Sequence, residues 1–145
     1  MEPDKVIVLP EAVFVYKPYE ETMREVFIDN NISPVMVDIL IAQARHETGN
    51  FTSSLFVNHN NLWGMQHPRT RHTTSTGPLA TADGGRKGYA HYESIEDSAR
   101  DMVLYLKARR IPDYTTVAPY VKHLKRKGYF EDSLKKYTRS LERYV

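Results

Sequence analysis

Apolar positions along the chain recur mainly at helical spacing, with prolines and glycines marking where helices stop. The first eighteen residues are the exception. Val6-Ile7-Val8-Leu9 and Val13-Phe14-Val15-Tyr16 are short apolar runs bounded by proline. Pro3, Pro10 and Pro18 argue against a continuous helix, so residues 1–18 are expected to form an arm or extension, opening on a short strand or extended stretch. Met23, Val26 and Phe27 then predict a helix from Tyr19 to about Asn30.

Ser33-Pro34 announces the next helix, with serine as N-cap and proline at the first helical position. Val37, Leu40, Ile41 and Ala44 lie at i, i+3, i+4 and i+7, one apolar stripe that Glu47 prolongs before Gly49 and Asn50 end the helix. Asn58 to Met65 is too short and polar for a core helix but contains the single tryptophan, Trp63. Residues 66–88 are rich in Thr, Gly, Pro and Arg, and Asp83-Gly84-Gly85 is a strong turn signal, so a loop or irregular hairpin is expected. Ser94 and Asp97 open a further helix buried through Ile95, Ala99, Met102, Val103 and Leu106. Two more helices are predicted at about Val117–Lys127 and Glu131–Tyr144, separated by Gly128. The fold class is mainly α with some β: a helical body and a small irregular β-lobe inserted between helices.

At 145 residues the chain fits one domain with one core. The net charge of +2 is too small to argue for nucleic acid, although it suits a polyanionic partner. Zero cysteines exclude disulfides, thiolate catalysis and Cys-based zinc sites. No stretch approaches the length of a membrane-spanning helix, so membrane insertion is not expected. The N-terminus lacks the basic region and small-residue cleavage site of a secretory leader.

Glu47 is the residue with the most chemical promise. Ionised groups avoid apolar surroundings unless paired, and burial disfavours the charged carboxyl, the property a glycosidase acid requires. Periodicity alone leaves the commoner alternative open, a half-buried glutamate paired with Arg45 or His46. Trp63 offers a flat face on which a sugar ring can stack, or is simply core. Asn60 and Asn61 can bind acetamido and hydroxyl groups, or form a turn or cap. Tyr92 and Tyr129 read equally as packing residues. His67 and His72 with His46, His59 or Asp83 make a poor zinc site, and His46-Glu47 does not continue into His-Glu-x-x-His. No metal and no cofactor is expected.

Taken in order, Gln43-Ala44-Arg45-His46-Glu47-Thr48-Gly49-Asn50-Phe51-Thr52-Ser53, Asn60-Asn61-Leu62-Trp63-Gly64-Met65, Tyr89-Ala90-His91-Tyr92-Glu93-Ser94 with Asp97, and Lys127-Gly128-Tyr129-Phe130-Glu131-Asp132 resemble family 73 of the glycoside hydrolases. These are the glucosaminidase domains of bacterial and phage wall hydrolases. The resemblance spans about Tyr19 to Tyr144 and implies a lysozyme-like catalytic domain over 19–145, with a helical body and a β-lobe across a substrate groove. It implies Glu47 as catalytic acid, Tyr129 as a catalytic tyrosine, and Asn61, Trp63 and Gly64 as sugar-cleft residues; Asn60 and Tyr92 are candidate substrate-binding residues beside them. It implies peptidoglycan glycan strands as the partner and action on the bacterial cell wall. A monomer is expected, and the compact size and missing leader favour a phage or virion-associated lysin, with a trimmed secreted autolysin as the alternative.

The sequence departs from the family in the lobe. Many members carry a second glutamate there, whereas between Met65 and Tyr92 the one carboxylate is Asp83. Two routes follow: Asp83 as the base of an inverting reaction, about 6.5–9.5 Å from the acid, or attack by the acetamido group of the sugar, which needs no second carboxylate. The second route calls on fewer unseen residues and is the one expected. The linkage cut is a β-1,4 bond, with muramidase or lytic transglycosylase chemistry, or a non-catalytic binding module, as the alternatives.

Overall fold

The computed structural model of the chain describes residues 11–80, 88–130 and 132–145. Six helices follow one another: α1 (Glu11–Asp29), α2 (Pro34–Glu47), α3 (Ser54–His59), α4 (Ile95–Ala108), α5 (Val117–Arg126) and α6 (Leu134–Glu142). Helix α2 is central. It packs on α1 and α6, while α1 also packs on α4, and α5 on α6. Met36, Val37, Ile39, Leu40, Ile41, Ala42, Gln43 and Ala44 are all buried, wider than the single stripe read from the sequence, as a helix surrounded by neighbours requires.

The local signals for α2 and α4 act as predicted. Ser33 Oγ accepts from the Met36 amide at 3.4 Å, with Pro34 opening α2, and Ser94 Oγ accepts from the Asp97 amide at 3.1 Å. Helix α6 begins later than expected, because Ser133 is its N-cap, accepting from the Lys136 amide at 3.1 Å. Helix α3 had not been expected at all. Ser53 caps it by accepting from the Phe56 amide at 3.2 Å, and Leu55 and Phe56 bury its one apolar side.

Two expectations need correcting. Helix α1 runs through Pro18, so the second half of the supposed arm is helical. A proline inside a helix removes one i→i−4 bond, at about 3 kcal/mol, but forces no stop where flanking turns are held. Tyr19, the next residue, is held by ring contacts at 5.2 Å to both Phe51 and Phe56. The stretch Val6–Leu9 lies outside the described residues.

The second correction concerns the β-lobe. Among the described residues, the segment between Met65 and Tyr92 contains no strand, only isolated antiparallel bridges pairing Gln66 with Tyr89 and Pro78 with Ala90. Proline cannot donate to a ladder, and Pro68 and Pro78 both lie in this segment. Backbone bonds such as His67 N–H to the Gly88 carbonyl at 3.0 Å and Ala90 N–H to the Met65 carbonyl at 2.9 Å accompany the bridges, and side chains add to them. Arg71 donates to both carboxylate oxygens of Asp101 at 2.7 and 3.2 Å, Thr73 donates to the same group at 2.7 Å, and Thr74 donates to the Asp97 carbonyl at 2.5 Å. Burial alone would raise the Asp101 carboxyl, but the bonds from Arg71, Thr73 and Tyr92 hold it below the usual carboxylate range. The lobe is therefore pinned to α4 by a buried ion pair rather than by a sheet.

Candidate active site

Helices α2, α4 and α5 all end at one cleft of about 1000 Å³, lined by Glu47, Trp63, Gly64, Gln66, Arg69, Tyr89, Tyr105, Arg109, Lys127 and Tyr129 among others. Glu47 is the last residue of α2 and is half-buried. Among the described residues that line the cleft it is the sole carboxylate. The turn after it is held by Thr48, whose hydroxyl donates to the Ala44 carbonyl and accepts from the Phe51 amide, both at 2.7 Å.

A chain of three hydrogen bonds behind Glu47 fixes its carboxyl. The Tyr137 hydroxyl donates to Glu47 Oε1 at 2.5 Å and accepts from Gln43 Nε2 at 3.3 Å, while Gln43 Oε1 accepts from the Tyr120 hydroxyl at 2.5 Å. Gln43 is fully buried and one helical turn before Glu47, so α2 presents both groups to the same side. Phe130 stacks flat on Tyr137 with centroids 4.0 Å apart, and His46 meets that ring edge-on at 5.0 Å. Burial pushes the Tyr137 hydroxyl well above the ordinary tyrosine range, and the adjacent Glu47 charge adds to it. Tyr137 therefore stays a donor across the accessible pH range. Burial likewise lowers His46, with Asp132 opposing and Arg143 assisting.

With Oε1 facing Tyr137, Oε2 faces Gly64. Gly64 has φ +66, and a Cβ built on it would lie 3.7 Å from Glu47 Oε2. The Asn-Asn-Leu-Trp-Gly-Met stretch is the bracket that puts it there. Asn61 is buried; its amide nitrogen donates to the Met65 and Ala90 carbonyls at 2.9 and 3.0 Å, and its oxygen accepts from the Met65 amide at 3.0 Å. The Leu62 amide donates to Ser98 Oγ at 3.1 Å, tying the bracket to α4.

Several residues expected to touch sugar have other occupations. Trp63 is 1% exposed, with its indole N–H donating to the Leu40 carbonyl at 3.0 Å and its ring against Phe27, so neither face is open for stacking. Tyr92 is fully buried, and its hydroxyl donates to Asp101. Asn61 has its amide committed inside the bracket. Asn60, in a left-handed conformation at the end of α3, donates to the Tyr92 carbonyl at 2.9 Å and does not line the cleft. Tyr129 does line it; its hydroxyl donates to the Trp63 carbonyl, and its ring meets Tyr105 edge-on at 5.6 Å. Burial first, and Glu47 second, push that hydroxyl well above the usual range. Asp83 lies outside the described residues.

Sequence reasoning missed Tyr137, Tyr120, Tyr105 and Arg109. The two hydroxyls that support Glu47 come from α6 and α5, far along the chain, and no local pattern links them to it.

The sequence model of the glucosaminidase family, described as mannosyl-glycoprotein endo-beta-N-acetylglucosaminidase, matches residues 19–145. The chain belongs to this family. It is a glycoside hydrolase of the endo-β-N-acetylglucosaminidase type. No curated protein sequence matches it. Solved structures share the glucosaminidase's fold at low identity. A type VI secretion system effector–immunity complex from Pseudomonas protegens contains a chain with TM-score 0.68 and 16% identity, over 90% of this chain and 89% of that one. The catalytic domain of the autolysin Auto from Listeria monocytogenes gives TM-score 0.63 and 17% identity over 97% and 86%. A peptidoglycan hydrolase from Sphingomonas sp. A1 gives TM-score 0.58 and 19% identity over 90% and 85%.

Proposed function

We propose that this glucosaminidase hydrolyses the glycan of bacterial peptidoglycan at the β-1,4 bond from N-acetylglucosamine to N-acetylmuramic acid, with Glu47 as general acid. The observation that carries the reading is Glu47 at the wall of the cleft, one oxygen held by Tyr137 and the other turned toward Gly64. The names of two fold neighbours, an autolysin and a peptidoglycan hydrolase, support the choice of substrate.

In this reading the proton sits on Glu47 Oε2, because Oε1 accepts from Tyr137, and it passes to the glycosidic oxygen as the bond to C1 breaks. The carbonyl oxygen of the substrate's own acetamido group closes on C1 from the opposite face. Water then adds at C1, the acetamido oxygen leaves, and the water's proton returns to the Glu47 carboxylate. This route calls on no second carboxylate, and the one carboxylate between Met65 and Tyr92, Asp83, stands in the Asp-Gly-Gly turn signal. Gly64 keeps the space before Oε2 clear, and Tyr129, by donating to the Trp63 carbonyl, holds that turn in place.

The same single-acid arrangement suits a lytic transglycosylase. Mass spectrometry of soluble products from purified sacculi separates the possibilities. The proposal expects reducing N-acetylglucosamine ends; reducing or anhydro-muramic acid ends would reassign the linkage, and intact strands that merely bind would make the protein a glycan-binding module.

A further inference from the structure

The described residues lining the cleft set Arg69, Arg71, Arg109 and Lys127 against one carboxylate, Glu47. Arg71 is already committed to Asp101. Arg109 and Lys127 are in no ion pair among the described residues. They are the C-caps of α4 and α5, so the two helix ends deliver one cation each to the same wall, beside Tyr129. Arg109 is also held in place, with its guanidinium carbon 5.8 Å from the centre of the Tyr105 ring. Burial raises the Tyr105 hydroxyl, and Arg109 and Arg71 pull it partly back, as expected of two cations beside it. A neutral polymer of N-acetylglucosamine offers these cations neutral oxygens but no opposite charge. A strand containing N-acetylmuramic acid does, because each lactyl side chain ends in a carboxylate, either its own where it is bare or that of the peptide attached to it, and a planar guanidinium suits a carboxylate through paired N–H donors.

We infer that Arg109 and Lys127 form a carboxylate-recognition subsite that selects acid-bearing glycan strands over neutral ones. The inference rests on the peptidoglycan reading above and identifies which of its groups the cleft reads. Both cations also complement helix C-terminal dipoles, but that role contributes to stability and carries no preference between substrates.

The test is binding to the Glu47→Gln protein, in which no turnover confuses the measurement. Three soluble probes of equal length are compared by calorimetry: peptide-bearing peptidoglycan fragments, the same fragments with their carboxyls amidated, and N-acetylglucosamine oligomers. Acid fragments should bind on the order of five- to tenfold more tightly than amidated ones, and this ratio should shrink as salt is raised. Adding Arg109→Gln or Lys127→Gln should bring the ratio toward one, and Arg109→Lys should restore part of it; thermal unfolding verifies that each variant is folded. A ratio near one in the parent protein, or a ratio untouched by both substitutions, overturns the subsite. Neither result depends on which bond is cut, so product analysis can fail while this test succeeds, and the reverse.

Discussion

Replacing Tyr137 by phenylalanine removes one oxygen from the centre of the site and leaves its surroundings packed. The ring keeps its stack on Phe130 and its edge contact with His46. Two hydrogen bonds vanish, the 2.5 Å bond to Glu47 and the 3.3 Å bond from Gln43. The Gln43 amide is fully buried, so its stranded donor costs about 1–3 kcal/mol of stability, or roughly 3–10 °C in Tm for a domain of this size. The catalytic loss is separate. The bond to Glu47 strengthens as proton transfer turns the carboxyl into a carboxylate, so it favours the transition state over the ground state. A bond to a charged group contributes about 1.5–3 kcal/mol, and each 1.4 kcal/mol is about tenfold. The kcat on labelled sacculi should therefore fall by roughly ten- to a hundredfold with KM nearly unchanged. A folded variant with unchanged kcat, or a loss confined to KM, would refute the positioning role of Tyr137.

Other perturbations probe the parts around that pair. Gly64→Ala forces a side chain into a left-handed conformation and sets a methyl beside Glu47 Oε2; it should cost about 1 kcal/mol in urea unfolding and at least tenfold in kcat, since the methyl occupies the approach to the acid. Trp63→Ala should destabilise by about 3–5 kcal/mol as a core deletion, and any activity left at low temperature should show an ordinary KM, because the indole meets no sugar. Asp101→Asn leaves Arg71 without its anion and should cost about 3–5 kcal/mol at pH 7. Asp101 is held below its unfolded value near 4, so its stabilisation is present above that pH and lost as pH falls through the folded value. Urea unfolding at pH 7 and pH 3 should therefore show the gap between wild type and variant narrowing in acid; a constant gap would contradict the ion-pair reading of the lobe.

Much of the helical body was legible in the sequence, because α2 and α4 announce themselves through capping serines and apolar spacing, with Pro34 at the start of α2. Glu47 was legible for the same reason, since its place at the end of α2 follows from counting along the helix. For Trp63 the sequence left stacking and core both open, because residue type cannot distinguish an exposed aromatic face from a buried one; its burial is set by Phe27 and the Leu40 carbonyl, supplied by other helices. For Asn61 the sequence left sugar contact and a turn role both open; its hydrogen-bonding groups serve the turn that carries Gly64. Among the described residues the lobe forms isolated bridges in place of strands, and Pro68 and Pro78, which cannot donate to a ladder, lie within it. Support for Glu47 from Tyr137 was invisible, since it joins α2 to α6 across 90 positions.

The most direct measurement is release of soluble fragments from labelled sacculi by wild-type protein and by Glu47→Gln. The substitution keeps an amide oxygen that can accept from Tyr137 and removes the transferable proton. Fragment release should drop by roughly a hundred- to ten-thousandfold, the range expected for loss of a general acid, while Tm and binding to sacculi remain near wild type. Release at the wild-type rate by folded Glu47→Gln protein would contradict the assignment of Glu47 as the acid.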